Sequence, residues 1–172
     1  MKAPFHWLVR FFLIYSLILV FSFPNTAWGE QIPDVTEGFQ APDFTLEDLN
    51  GHNVRLSDYK GRPVLLLFMT TWISGCWKMI PRMKESYSLY KAKGLVLFNI
   101  DISESKKKAE RFAEERSIPY PTLLDQEAGV SRTFGVFSVP VMILINGEGR
   151  IICWDCSTLD DLLKKQFKVK EK

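Results

Sequence analysis

The chain has 172 residues, 47% of them hydrophobic and 13% aromatic, which supplies one substantial core and is too apolar for a disordered chain. It carries 22 basic and 20 acidic residues, and Lys2 and Arg10, at the extreme N-terminus, account for the whole basic excess. The neutral remainder offers no electrostatic footprint for nucleic acid or for an acidic partner.

Lys2 and Arg10 lead into an apolar run from Phe11 to Phe23, which Pro24 and Asn25 break. Ala27-Trp28-Gly29 then places small residues where a signal peptidase reads, so residues 1–29 read as a signal peptide cleaved before Glu30. A spanning helix needs about 20 apolar residues. Retention of this shorter run as an uncleaved anchor is the alternative, and it is the one route to a membrane that the sequence offers. Export places Cys76, Cys153 and Cys156 in an oxidising compartment, where an odd count leaves at least one thiol free, intermolecular or otherwise bound. Beyond the signal the only histidine is His52, which leaves little material for a histidine zinc site or a Cys-His pair. No haem-attachment motif or nucleotide-binding loop is visible, and no cofactor or metal is implied.

Residues 30–40, with Pro33 and Gly38, read as a polar leader. Ala41 to Leu46 is a short strand, Asp48-Leu49-Asn50-Gly51 a turn suited to positive φ, and Asn53 to Leu56 the return strand of a hairpin. Ser57 to Gly61 is a compact turn with Ser57 as candidate cap. Val64 to Met69 is continuously apolar, as a central strand covered on both faces must be. A helix follows from about Gly75 to Ala92, closed by Lys93-Gly94, with Pro81 expected to kink it. Leu95 to Ile100 is a second buried strand. Ser103-Glu104 to Arg116 is a charged helix that turns Ala109, Phe112 and Ala113 inward.

Tyr120 to Leu124 is extended, and Glu127 to Phe134 is a short helix stopped by Gly135. Val139-Pro140 enters a strand over Val141 to Ile145. Asn146-Gly147-Glu148-Gly149 turns it into Arg150 to Cys153. Ser157 or Thr158 caps a last helix from Leu159 to about Phe167, ahead of a basic tail over 168–172. Strand–helix–strand units imply parallel pairing with right-handed crossovers, and the late hairpin adds antiparallel strands. The expected product is an α/β fold, a three-layer α/β/α sandwich with a mixed sheet and an N-terminal β-hairpin extension.

The stretch from Phe68 to Pro81 changes from strand to helix between Trp72 and Cys76. The first helical N–H groups have no internal partner and the dipole there favours negative charge, so a cysteine in that turn tends towards thiolate. Cys76 is therefore a candidate reactive monothiol, against the plainer reading of a thiol packed inertly under Trp72 and Ile73. Cys153-Trp154-Asp155-Cys156 is a second feature. In a continuous strand, residues three apart lie about 10 Å from each other, beyond the disulfide limit of roughly 7 Å. The pair bridges only if the strand ends at Trp154 and turns, which Asp155 and Ser157 permit. A structural disulfide, a relocated redox pair engaging Cys76, and free thiols or a soft-metal site all stand open, although C-x-x-C alone is a weak metal signal. Met69, Met79, Met83, Trp72 and Trp77 are read as core packing in preference to a copper patch.

From Ala41-Pro42-Asp43-Phe44-Thr45-Leu46, through Leu56-Ser57-Asp58-Tyr59-Lys60-Gly61 and the strand running to Trp72, to Phe134-Gly135-Val136 and Val139-Pro140, the chain resembles the thioredoxin-like redoxins. It is most similar to the alkyl-hydroperoxide-reductase/thiol-specific-antioxidant (AhpC/TSA) group and its exported thiol–disulfide oxidoreductase branch. The likeness covers about 40 to 167 and implies a thioredoxin-like domain over 41–167. In that family an exposed cysteine at the helix start attacks a substrate disulfide, and a second, three residues on, resolves the mixed disulfide. By that pattern Trp72 matches the tryptophan, Ile73 occupies the attacking position and Cys76 the resolving one. Leu67 stands where relatives often carry a polar or acidic group. Thr70 matches a peroxidase threonine without its thiol.

The resemblance further implies a cis Val139-Pro140 bond lining a groove with Trp72 and Ile73, with Cys156 on its rim near Cys76. The partner it implies is a protein or peptide thiol or disulfide. The function expected is an exported redoxin with thiol–disulfide chemistry in an altered site. The alternatives are a non-catalytic peptide-binding module and, third, a cysteine-based metal handler.

Overall fold

Strand β1 (Thr45–Asp48) and strand β2 (Asn53–Arg55) form the first hairpin of the computed structural model, which describes residues 38–168, with Leu46 opposite Val54. Asp48 closes the turn by accepting the backbone N–H groups of Asn50 and His52, and Gly51 takes the positive φ of 85° there. The strand starts later than the apolar pattern suggests. Asp43 is occupied with a local network, accepting from the Ser57 backbone and from Arg55 Nε. Ser57 thus gives its N–H to Asp43 and its carbonyl to the Lys60 N–H behind a single 3₁₀ turn, Leu56–Tyr59, and does not cap that turn with its hydroxyl.

Strand β3 (Val64–Met69) is buried along its whole length. It pairs in parallel with β4 (Val96–Ile102) and antiparallel with β6 (Val141–Ile145), so Leu66 lies between Phe98 and Ile143. β5 (Thr122–Asp125) runs parallel to β4 and joins the first hairpin through Glu47 opposite Leu124, while β7 (Ile151–Trp154) closes the far side against β6. The sheet order is β2-β1-β5-β4-β3-β6-β7, a mixed seven-stranded sheet.

Alternation along β3 divides the core. Leu65, Leu67 and Met69 face helices α1 (Ser74–Tyr90), α2 (Lys106–Glu115) and α4 (Leu159–Gln166), meeting Ile80, Met83, Phe112 and Leu163. Val64, Leu66 and Phe68 face the other way, towards the Leu56–Tyr59 turn, Ala41, Phe44 and Phe134 at the end of the short helix α3 (Gly129–Thr133). Each leucine fully withdrawn from water here contributes on the order of 2 kcal/mol. The result is the three-layer thioredoxin-like arrangement, with the two central crossovers on one face and the short helix on the other.

Several elements depart from the sequence expectation. Helix α1 runs unbroken through Pro81, which lies on its exposed side, and continues as a 3₁₀ turn, Lys91–Lys93, that Gly94 terminates at φ 106°. Helix α2 begins only at Lys106, because Ser103 takes φ 56° and Glu104 folds inward. Thr158 occupies the cap position of α4 without a side-chain bond, and Asp160 and Asp161 complement the helix dipole in its place. The end of the leader docks on β7: Gly38 N–H donates to Ile151 O, Ile151 N–H to Phe39 O and Ala41 N–H to Gly149 O. β7 is an edge strand, and this pairing satisfies groups that would otherwise face solvent. The signal segment over 1–29, residues 30–37 of the leader and 169–172 of the tail lie outside the described residues.

Candidate functional site

Between Met69 and Ser74 the chain leaves the sheet and enters α1. Ile73 occupies the helix N-cap with extended backbone, and its side chain offers no oxygen to the first helical N–H groups. Cys76, the third helical residue, closes the turn through its N–H to Ile73 O at 3.0 Å. Its side chain points inward. Cys76 is 0% exposed, a free thiol in one apolar cluster with Leu67, Met69, Ile80 and Met142. Burial pushes the thiol above its ordinary range; Thr70 pulls it back through its backbone and hydroxyl, and the charge of Asp101 pushes it further up. The thiolate tendency expected of a helix start is therefore reversed here, because desolvation outweighs the helix terminus.

The Val139–Pro140 peptide is cis. Gly75 brings helix and proline loop together: a β-carbon at that position would sit 3.4 Å from Pro140 Cδ and 3.7 Å from Ile73 Cγ2. Ile73, Val139 and Pro140 are half-buried, whereas Trp72 is 70% exposed. Core packing accounts for Met69 and Met83 but not for Trp72, whose ring stands out into solvent. Phe137, three residues ahead of the cis-proline, is 72% exposed and escaped the sequence reading. Its signal was a large aromatic in a loop whose neighbour Val136 is the buried one.

At the other candidate feature β7 ends at Trp154 and Asp155 adopts φ 55°, which reverses the chain. Cys153 and Cys156 are joined as a disulfide with Cα atoms 5.5 Å apart. Both are buried, and Cys156 N–H donates to Met142 O, two residues beyond Pro140. Cys156 therefore lies beneath the groove, in the same core cluster as Cys76, and not on an exposed rim. The turn at Asp155 sends it inward, ahead of Leu159, which anchors α4 in the same core.

An acidic residue without a role in the sequence expectation, Asp101, lies beside Cys76, and a second, Glu104, lies next to Asp101. Asp101, the penultimate residue of β4, is in register with Met69, is buried, and has no hydrogen-bond partner on Oδ1. Burial pushes its carboxyl up to about 8, and the charge of Glu104 and a hydrogen bond shared with that residue add to the rise. Glu104 in turn accepts from the Thr71 N–H and, at 2.7 Å, from Thr71 Oγ1. Thr71 O accepts the indole N–H of Trp77, whose ring packs against Phe112 and under Arg116, 4.8 Å from the guanidinium carbon. Leu67 is apolar and sealed in β3, while Asp101 stands on the neighbouring strand β4. The signal in the sequence was the polar phase Asn99, Asp101 on the inward face of an otherwise apolar strand. Among the described residues no cluster of three His, Cys, Asp or Glu side chains could hold a metal, and no helix is long and apolar enough to cross a membrane.

The chain matches the model of the AhpC/TSA family over residues 38–153. It is 38% identical over 130 residues to the thiol-disulfide oxidoreductase ResA of Geobacillus kaustophilus (strain HTA426), covering 74% of this chain and 75% of that protein. It is 36% identical over 118 residues to the ResA of Bacillus subtilis (strain 168), covering 69% and 66%. Among solved structures it resembles the thioredoxin domain of a thiol-disulfide oxidoreductase from Bacteroides vulgatus, with a TM-score of 0.69 at 27% identity over 77% of this chain and 96% of that one. A thiol:disulfide interchange protein from Bacteroides sp. gives 0.69 at 28% identity over 78% and 90%.

Proposed function

Because the chain belongs to the AhpC/TSA family, among relatives that are thiol-disulfide oxidoreductases, we propose that it is an exported redoxin with an altered site. In this reading it holds an extended protein or peptide partner, bearing a thiol or disulfide, in the groove of Trp72, Ile73, Val139 and Pro140. It does so without the two-cysteine cycle. One observation carries the reading: Ile73 stands at the helix N-cap and all three cysteine side chains are buried, so the groove presents no accessible thiol. The exposed Trp72 and Phe137 leave an apolar contact surface for a polypeptide in its place. Export of residues 30–172 after cleavage of 1–29 is part of the proposal, and a buried disulfide suits an oxidising compartment. The domain doing this work spans 41–167.

Insulin-type disulfide reduction by the 30–172 protein, with Cys76→Ser as control, tests it. Both proteins are expected to be inactive, while titration with an unfolded, disulfide-bearing polypeptide changes Trp72 fluorescence. Turnover in the parent that Cys76→Ser abolishes would overturn the reading. That outcome would favour a second one, thiol chemistry run through internal sulfurs, which the shared core cluster of Cys76, Cys153 and Cys156 supports.

A further inference from the structure

Buried carboxyl groups ordinarily find a basic partner. Among the described residues the ion pairs engage Asp43, Asp48, Asp160, Glu47, Glu115 and Glu148, and neither Asp101 nor Glu104 is among them. Both residues are nonetheless more than nine-tenths buried, Asp101 with an unpartnered Oδ1, and the Glu104 carboxyl lies against Thr71 in the turn that carries Trp72 and Ile73. The turn itself is tied down by Glu104, through both donors of Thr71.

We propose that Asp101 and Glu104 share one proton and act as positioning residues for the Thr70–Ile73 turn, holding the groove in the geometry seen here while the proton is present and loosening it when the proton leaves. With the proton on Asp101, its O–H donates to Glu104. Glu104 remains an anion whose acceptor sites serve Thr71, and Thr71 O serves Trp77. Loss of that proton to solvent leaves two adjacent anions in a low-dielectric pocket, where their repulsion is strong. The cheaper of the two to move is Glu104. It sits on the three-residue connection between β4 and α2, and its outward rotation releases both Thr71 donors at once.

Among the described residues no ion pair quenches this repulsion. The titratable groups facing Asp101 are Glu104 from its own loop and Cys76 from α1. β3 and β5 set Met69 and Leu124 beside it in register, and α2 brings Ala109 and Phe112 to this face. The displaced acidity of Asp101, caused by burial first and Glu104 second, agrees with a retained proton. The clamp acts on the groove whatever polypeptide fills it.

The test follows the Thr71 amide resonance of the 30–172 protein by NMR from pH 6 to pH 10. An inflection near pH 8 is expected. Asp101→Asn, which keeps a neutral donor towards Glu104, should abolish it. Glu104→Gln should move the Asp101 carboxyl midpoint down by roughly one unit or more, since it removes the neighbouring charge. Cys76→Ser should leave it in place, which excludes the thiol as its source. A parent protein with no inflection, or an inflection that Asp101→Asn leaves unchanged, overturns the proposal. The parent titration and Glu104→Gln decide the matter even if Asp101→Asn fails to fold. Because the readout is the turn itself, failure here is separable from failure of the insulin and fluorescence tests.

Discussion

Two strand ends in this molecule carry closely related chemistry and do opposite things with it. At the end of β3 the chain reads Trp72-Ile73-Ser74-Gly75-Cys76 and runs into a 17-residue helix. At the end of β7 it reads Cys153-Trp154-Asp155-Cys156 and reverses at Asp155 before α4. The second stretch holds the C-x-x-C spacing, and the first holds the position where such spacing would be reactive. Cys153 falls on the inward phase of β7 and the turn folds Cys156 in after it, so both sulfurs are sealed. Ile73 occupies a half-exposed N-cap where a sulfur would meet solvent, unfilled helical N–H groups and the cis-proline loop. Thiol reactivity follows from where the first sulfur emerges, not from the spacing of two sulfurs.

The largest effect expected concerns the acid beneath the first stretch. The native state holds a proton on Asp101 up to about pH 8, whereas the unfolded chain releases it near 3.8. The folded state therefore binds more protons in that window, and this group makes stability fall as pH rises from about 4 to about 8. At about 1.4 kcal/mol per unit, halved for relaxation around the buried acid, Asp101→Asn should gain on the order of 3 kcal/mol at pH 8 relative to its effect at pH 4. Urea denaturation of the parent and of Asp101→Asn at the two pH values measures this, and a stability difference between them that does not change with pH would contradict it.

Next comes a direct exchange of character between the two strand ends. Ile73→Cys places a sulfur at the exposed N-cap, three residues before Cys76. Insulin reduction should rise at least ~100-fold over the parent, because a second thiol, Cys76, is already held one helical turn on. Removing the sealed bridge with Cys153→Ala and Cys156→Ala together should cost about 2 kcal/mol, the entropy of a very short closed loop. That change should leave the activity of the Ile73→Cys protein within a factor of about two; loss of that activity would mean that the two strand ends work together. Smallest in stability is Trp72→Ala, expected to change folding by less than about 0.5 kcal/mol because the ring is exposed. Its effect should appear as weakened polypeptide binding, read by anisotropy of a labelled unfolded chain.

Much of the fold was legible residue by residue. Val64 to Met69 could only be a strand covered twice, and the hairpin turns at Asn50-Gly51 and Asn146 to Gly149 follow from residues that tolerate positive φ. Helix starts were less legible. Ser103-Glu104 looked like the opening of α2, but Thr71, 33 residues earlier, recruits the Glu104 carboxylate and delays the helix to Lys106. Of the site, the missing sulfur at 73 and the proline loop were visible in the chain. Trp72 facing solvent, Phe137 beside the proline loop and the inward turn of Cys156 were not. A large apolar side chain in a loop has no period to report which way it points.

What the sequence determined by itself was covalent and periodic: which strands are buried on both faces, and that position 73 carries no sulfur. Those properties depend on atoms present and on spacing along one segment. What only the tertiary structure decided was solvation. Cys76 is a poor thiolate, Asp101 keeps its proton and Cys153–Cys156 is sealed because segments distant in the chain close over them, and the cost of a charge depends on everything that displaces water from it.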